Sequence, residues 1–103
     1  MELDPRWVRG QILRVLHAAH PQWVPDHLLR HTLADRDCAI SEETLRSELV
    51  YLRDWPARGD GYIDLQLRRV LRSGEQVGVS RITPRGINLV EKLCAPDPQI
   101  TEF

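Results

Sequence analysis

Ile40-Ser41-Glu42-Glu43-Thr44-Leu45-Arg46-Ser47-Glu48-Leu49-Val50-Tyr51-Leu52-Arg53 decides how this chain folds. Ser41 reads as an N-cap, its hydroxyl placed to accept from an orphan N–H of the first helical turn. Glu42 and Glu43 follow at the positive end of the helix dipole. Ile40 and Leu45 occupy the two positions of a hydrophobic staple. Leu45, Leu49 and Leu52 recur at i, i+4 and i+7, a stripe that must face a core. Trp55-Pro56 stops the helix, because a proline disfavours helical geometry in the residue before it. The opposite face presents Glu43, Arg46, Ser47 and Val50.

Upstream, Asp4-Pro5 has the form of a helix start, with Asp as cap and Pro at the first helical position. Val8, Ile12, Val15, Leu16 and Ala19 then recur at helical spacing, and Pro21 ends the run near His20. Gln22-Trp23-Val24 is a short extended piece between Pro21 and Pro25. Pro25 opens a second helix whose Leu28, Leu29 and Leu33 are expected inside, running to about Ala34. Residues 35–39 form a polar connection into the capped helix, giving the pair a helix-turn-helix form.

Downstream, Tyr62-Ile63-Asp64-Leu65-Gln66-Leu67 alternates apolar and polar residues, the mark of a half-buried strand. Gln76–Ile82 is a second strand. Arg72-Ser73-Gly74-Glu75 supplies turn chemistry between them. The expectation is an antiparallel hairpin with Arg68, Arg69 and Arg72 around its tip. Thr83-Pro84 starts a last helix with Ile87, Val90, Leu93 and Cys94 toward the core, ended by Ala95-Pro96-Asp97-Pro98.

At 103 residues the chain fits one domain with one modest core. The sequence divides into a domain over 1–95 and a C-terminal tail over 96–103. Net charge is −1, so no global field advertises nucleic acid or an anionic membrane. The distribution is uneven, however. Residues 61–85 hold Arg68, Arg69, Arg72, Arg81 and Arg85 against Asp64 and Glu75, an acidic remainder balancing this basic segment. No apolar run is long enough for a transmembrane helix. Met1–Pro5 lacks the basic start and apolar core of a signal peptide. Cys38 and Cys94 share no metal or redox spacing, so the expectation is a cytoplasmic protein with two reduced thiols.

In its order of helix, short strand, helix, helix, hairpin and helix, the chain resembles the winged helix-turn-helix family. Ser41 through Leu52 resembles a capped recognition helix, ending in a Tyr-Leu pair before a loop. Arg81-Ile82-Thr83-Pro84-Arg85-Gly86-Ile87 resembles the step from wing to last helix in small bacterial regulators of the MarR and PadR type. The layout is also similar to small winged-helix proteins of Mu-like phages. This resemblance covers roughly residues 5–94. It implies an α+β fold: a three-helix core, a two- to three-stranded antiparallel wing and a C-terminal helix. It further implies a transcription regulator binding double-stranded DNA, with Arg46, Ser47 and Arg53 at the major groove and Arg68, Arg69 and Arg72 on the wing. Such modules commonly bind as two-fold dimers. The first and last helices and Ile100–Phe103 are the expected dimer surface.

The capped helix carries Glu42, Glu43 and Glu48 against Arg46 and Arg53. A carboxylate beside phosphate is repelled unless it accepts from a cytosine amino group. The weight of DNA contact therefore falls on the hairpin, and a protein partner within a phage or larger assembly is the alternative reading of the acidic helix. His27 and His31 stand four apart on the second helix, but the metalloprotease motif is missing and no metal is expected. Arg58-Gly59-Asp60 reads as a turn. No nucleophile motif and no glycine-rich phosphate loop occurs, so neither an enzyme nor a cofactor is expected.

Overall fold

The computed structural model describes residues 3–100. The elements are α1 (Pro5–Ala19), β1 (Val24–Pro25), α2 (Asp26–Asp35), α3 (Glu42–Asp54), β2 (Ile63–Arg69), β3 (Gln76–Ile82) and α4 (Pro84–Val90). Among the described residues, then, the fold is α+β: four helices and one antiparallel sheet in the order β1-β3-β2.

Local chemistry sets the helix starts. The Asp4 carboxylate accepts from the Arg6 N–H, and Ser41 Oγ accepts from the Thr44 N–H at 3.0 Å. Thr83 Oγ1 accepts from the Gly86 N–H at 3.2 Å and donates to the Gly61 carbonyl at 2.8 Å, tying the start of α4 to the loop before β2. Gly86 is required there, because a Cβ would overlap the Tyr62 carbonyl and Ile82.

α1 is the central helix, packed against α2, α3, α4 and β3. Its apolar stripe is therefore wide: Leu13 is buried as fully as Ile12 and Leu16. Leu29 and Leu33 of α2, Leu45, Leu49 and Leu52 of α3, and Ile63 and Ile82 of the sheet complete the core. Strand register sets Leu65 opposite Ser80 and Leu67 opposite Gly78, so these share the inward face with Ile63 and Ile82.

The structure departs from the sequence reading in several places. Pro25 belongs to β1 and caps α2, which starts at Asp26 rather than at the proline. Leu28 is 48% exposed, because Leu29 and Leu33 define the buried line of α2 and Leu28 lies a fraction of a turn off it. Leu67 is 59% exposed, because the hairpin outruns the body that covers Ile63 and Leu65. Arg68 and Arg69 belong to β2 rather than to the tip, which is residues 70–75. α4 stops at Val90, where the Lys92 N–H bonds to the Leu89 carbonyl and the Leu93 N–H to that of Asn88. This is a Schellman close with Lys92 at φ +59°. It turns the chain away before Leu93 and Cys94 can pack, leaving Leu93 70% exposed, and Leu89 takes the core position instead.

The segment after Ala95 is held against the body. Asp97 accepts from Trp55 Nε1 at 2.7 Å, from the Tyr62 hydroxyl at 2.6 Å and from the Gln99 N–H at 2.8 Å. Ile100 is buried in the core. It is thus not free to serve the dimer surface proposed for Ile100–Phe103, of which residues 101–103 lie outside the described residues.

Candidate functional site

The site expected from sequence is formed by the outer face of α3 and the β2–β3 hairpin. Glu43, Arg46, Ser47 and Val50 are all exposed on α3. Glu48 is not part of that face. Standing three residues after Leu45, it falls on the flank of the buried stripe and meets Arg9 of α1 at 2.6 Å, both side chains being 13% exposed. The Arg9 guanidinium also lies over the Tyr51 ring at 3.8 Å, and Tyr51 stacks on Trp55. That chain of contacts continues to Asp97, so it fastens α3 to α1 and to the C-terminal segment.

The two expected groove arginines are already engaged by carboxylates. Arg46 meets Asp26 at 3.6 Å, and Arg53 meets Asp54 at 3.1 Å. Asp26 reads in the sequence as an ordinary first-turn acid of α2. In the structure it joins three elements. Its carboxylate fills the space that a Cβ on Gly78 would need, so the glycine lets the hairpin close onto α2. Burial pushes the Asp26 carboxyl above its usual range, outweighing the attraction of Arg46, and Glu42 adds to the rise. Among the described residues, one carboxylate oxygen of Asp26 and the hydroxyl of Ser80 are buried without a hydrogen-bond partner.

On the outer face of the sheet, Trp23 lies beneath two arginines, Arg81 at 4.4 Å and Arg68 at 5.0 Å from its ring centre. Arg81 also meets Asp64, its neighbour across the strands, at 3.3 Å. Arg68 is thereby stacked along the sheet. Arg69 and Arg72 are exposed and, among the described residues, have no carboxylate partner. The structure therefore separates the six expected DNA-contacting residues. Ser47 is an exposed hydroxyl, Arg46 and Arg53 are paired, Arg68 is stacked, and Arg69 and Arg72 project unpaired.

In comparisons with known proteins, no family model, no curated protein and no solved structure matches this chain. The functional argument therefore rests on side-chain chemistry.

Among the described residues, no group of three or more His, Cys, Asp and Glu is arranged to hold a metal ion. His27 and His31 are exposed, and His31 pairs loosely with Asp35 at 3.8 Å. Arg58-Gly59-Asp60 lies in a loop with Gly59 at φ +72°, and Asp60 is held by Arg85 at 3.0 Å. Cys38 is buried, which raises its thiol pKa, while Cys94 is exposed. Among the described residues, no helix is long and apolar enough to cross a membrane.

Proposed function

We propose that this chain is a DNA-binding protein of winged-helix type, a transcription regulator of bacterial or phage origin, that grips duplex DNA through its β2–β3 hairpin and sets α3 beside the groove. One observation carries the reading. Among the described residues, Arg69 and Arg72 of the hairpin stand exposed with no carboxylate partner, while Arg46 and Arg53 of α3 are locally neutralised. Unpaired guanidinium groups on a projecting hairpin are what phosphate contact requires. The element order, the Ser41 cap and the Thr83-Pro84-Arg85-Gly86 step support the same reading. α3 acts in it chiefly as a positioning element, with Arg46 and Ser47 at the groove edge.

The test is fluorescence anisotropy with mixed-sequence duplex DNA across a salt series. Binding is expected to weaken with salt, with a logarithmic slope near −0.9 per phosphate contacted. Changing Arg69 and Arg72 to Ala together is expected to reduce that slope by about 2. Arg68→Ala is expected to have a smaller effect, because Trp23 holds that side chain along the sheet. Absence of binding at low salt, or a slope indifferent to Arg69 and Arg72, would sink the proposal.

A second reading rests on Glu42 and Glu43, both exposed at the start of α3. With Arg46 neutralised by Asp26, that end of the helix is acidic and suits a basic surface on a protein partner. The homodimer expected of such modules would use the exposed flanks of α1 and α4.

A further inference from the structure

Leu71 is 97% exposed, and Val70 beside it is 41% exposed. Loop tips ordinarily carry polar residues, yet here the turn carries an apolar side chain that is almost wholly exposed. The tip is also internally ordered. The Val70 N–H donates to the Glu75 carbonyl at 2.8 Å, and the Gly74 N–H donates to the Val70 carbonyl at 2.8 Å. Gly74 supplies the left-handed residue, φ +72°, that closes the loop. Leu71 is therefore presented outward on a hydrogen-bonded turn. Arg69 and Arg72 bracket it, and Glu75 is the one acid of the tip.

An apolar point between unpaired arginines calls for an anionic partner with an apolar slot between its charges. The minor groove of duplex DNA has this form, with phosphates on both rims and base and sugar surface within. Proteins of several folds press apolar side chains into that groove beside arginines and unstack a base step there. An anionic bilayer offers the same two features over a wider area. Two side chains bury less apolar surface than a single myristoyl chain, which alone binds a bilayer only marginally. The size of the apolar point thus favours the groove.

Building on the DNA-binding reading, we propose that Leu71 is a wedge, inserted from the hairpin tip into the minor groove to unstack one base step and bend the duplex while Arg69 and Arg72 hold the flanking phosphates. A flexible pyrimidine–purine step is its preferred site, since such steps unstack most easily.

The experiment uses the full chain and a short duplex with a central TA step, carrying a donor dye at one end and an acceptor at the other. Anisotropy reports binding, and energy transfer reports the bend. The wild-type protein is expected to bind and to raise the transfer efficiency. Leu71→Ala, at a protein concentration that saturates the duplex by anisotropy, is expected to leave the transfer efficiency at that of free DNA, the arginine contacts alone holding the complex. Wild-type binding with no change in transfer, or a bend that survives Leu71→Ala, overturns the wedge and leaves DNA binding intact. No wild-type binding to the duplex overturns both. Sedimentation with phosphatidylserine vesicles runs in parallel. Vesicle binding that Leu71→Ala abolishes, without a DNA bend, assigns the tip to membranes and likewise overturns the wedge.

Discussion

Asp97 shows how much one side chain can organise. It receives hydrogen bonds from Trp55, Tyr62 and the Gln99 backbone, and so joins the end of α3, the start of the hairpin and the C-terminal segment. Burial opposes its charge, but the bonds from Tyr62, the Gln99 N–H and Trp55 outweigh that and hold its carboxyl below the usual range. Asp97→Ala leaves the Trp55 and Tyr62 donors unpaired, at a cost of about 2–4 kcal/mol of stability at neutral pH. The sign with pH follows from linkage. A carboxyl with a depressed native pKa contributes fully above its unfolded value and loses that contribution as pH falls through the native one. Urea melts should therefore show wild type and Asp97→Ala far apart at pH 7 and converging in strong acid. A gap that persists undiminished in acid would contradict the charged role of Asp97.

At the scale of elements, α3 is specified locally and placed by its neighbours. Its start depends on Ser41, whose Oγ accepts from the Thr44 N–H and bonds to Thr44 Oγ1 at 2.9 Å. Ser41→Ala should cost about 1 kcal/mol, read as a lower urea midpoint with an unchanged m value. The inner face of α3 was legible from the spacing of Leu45, Leu49 and Leu52, all buried. Its outer face was less so. Residue type alone does not say that Glu48 turns inward to Arg9 or that Arg46 meets Asp26, because both partners lie on other helices. The hairpin shows the same division. Alternation and turn residues mark its strands, but the length left uncovered depends on where α2 and α3 end against it, and that length sets the exposure of Leu67 and Leu71.

At the scale of the whole molecule, the body and the segment after Ala95 share one core. Ile100 is buried with Val8, Ile12 and Leu52, and Arg9 Nη1 donates to the Gln99 carbonyl at 3.1 Å. A chain ending at Ala95 should therefore melt at a lower temperature than Asp97→Ala, since it loses Ile100 as well. An isoleucine removed from a core costs about 2–5 kcal/mol. Calorimetry of the two variants side by side checks this. A truncated chain as stable as wild type would show that the segment only decorates the body.

The sequence alone determined the starts of α1, α3 and α4, the buried stripe of α3, both hairpin strands and the α+β class. Each of these is written in neighbours a few residues apart, as caps, prolines and the periods of helix and strand. Tertiary structure alone decided the outward turn of Leu28, the tethering of the C-terminal segment and the engagement of Arg46 and Arg68. Most of these depend on what a distant part of the chain brings close. A charge meets its counter-ion, or an apolar side chain its cover, only once the chain has packed. The arginines of a candidate interface can be counted in the sequence, but which of them stay free is a property of the fold.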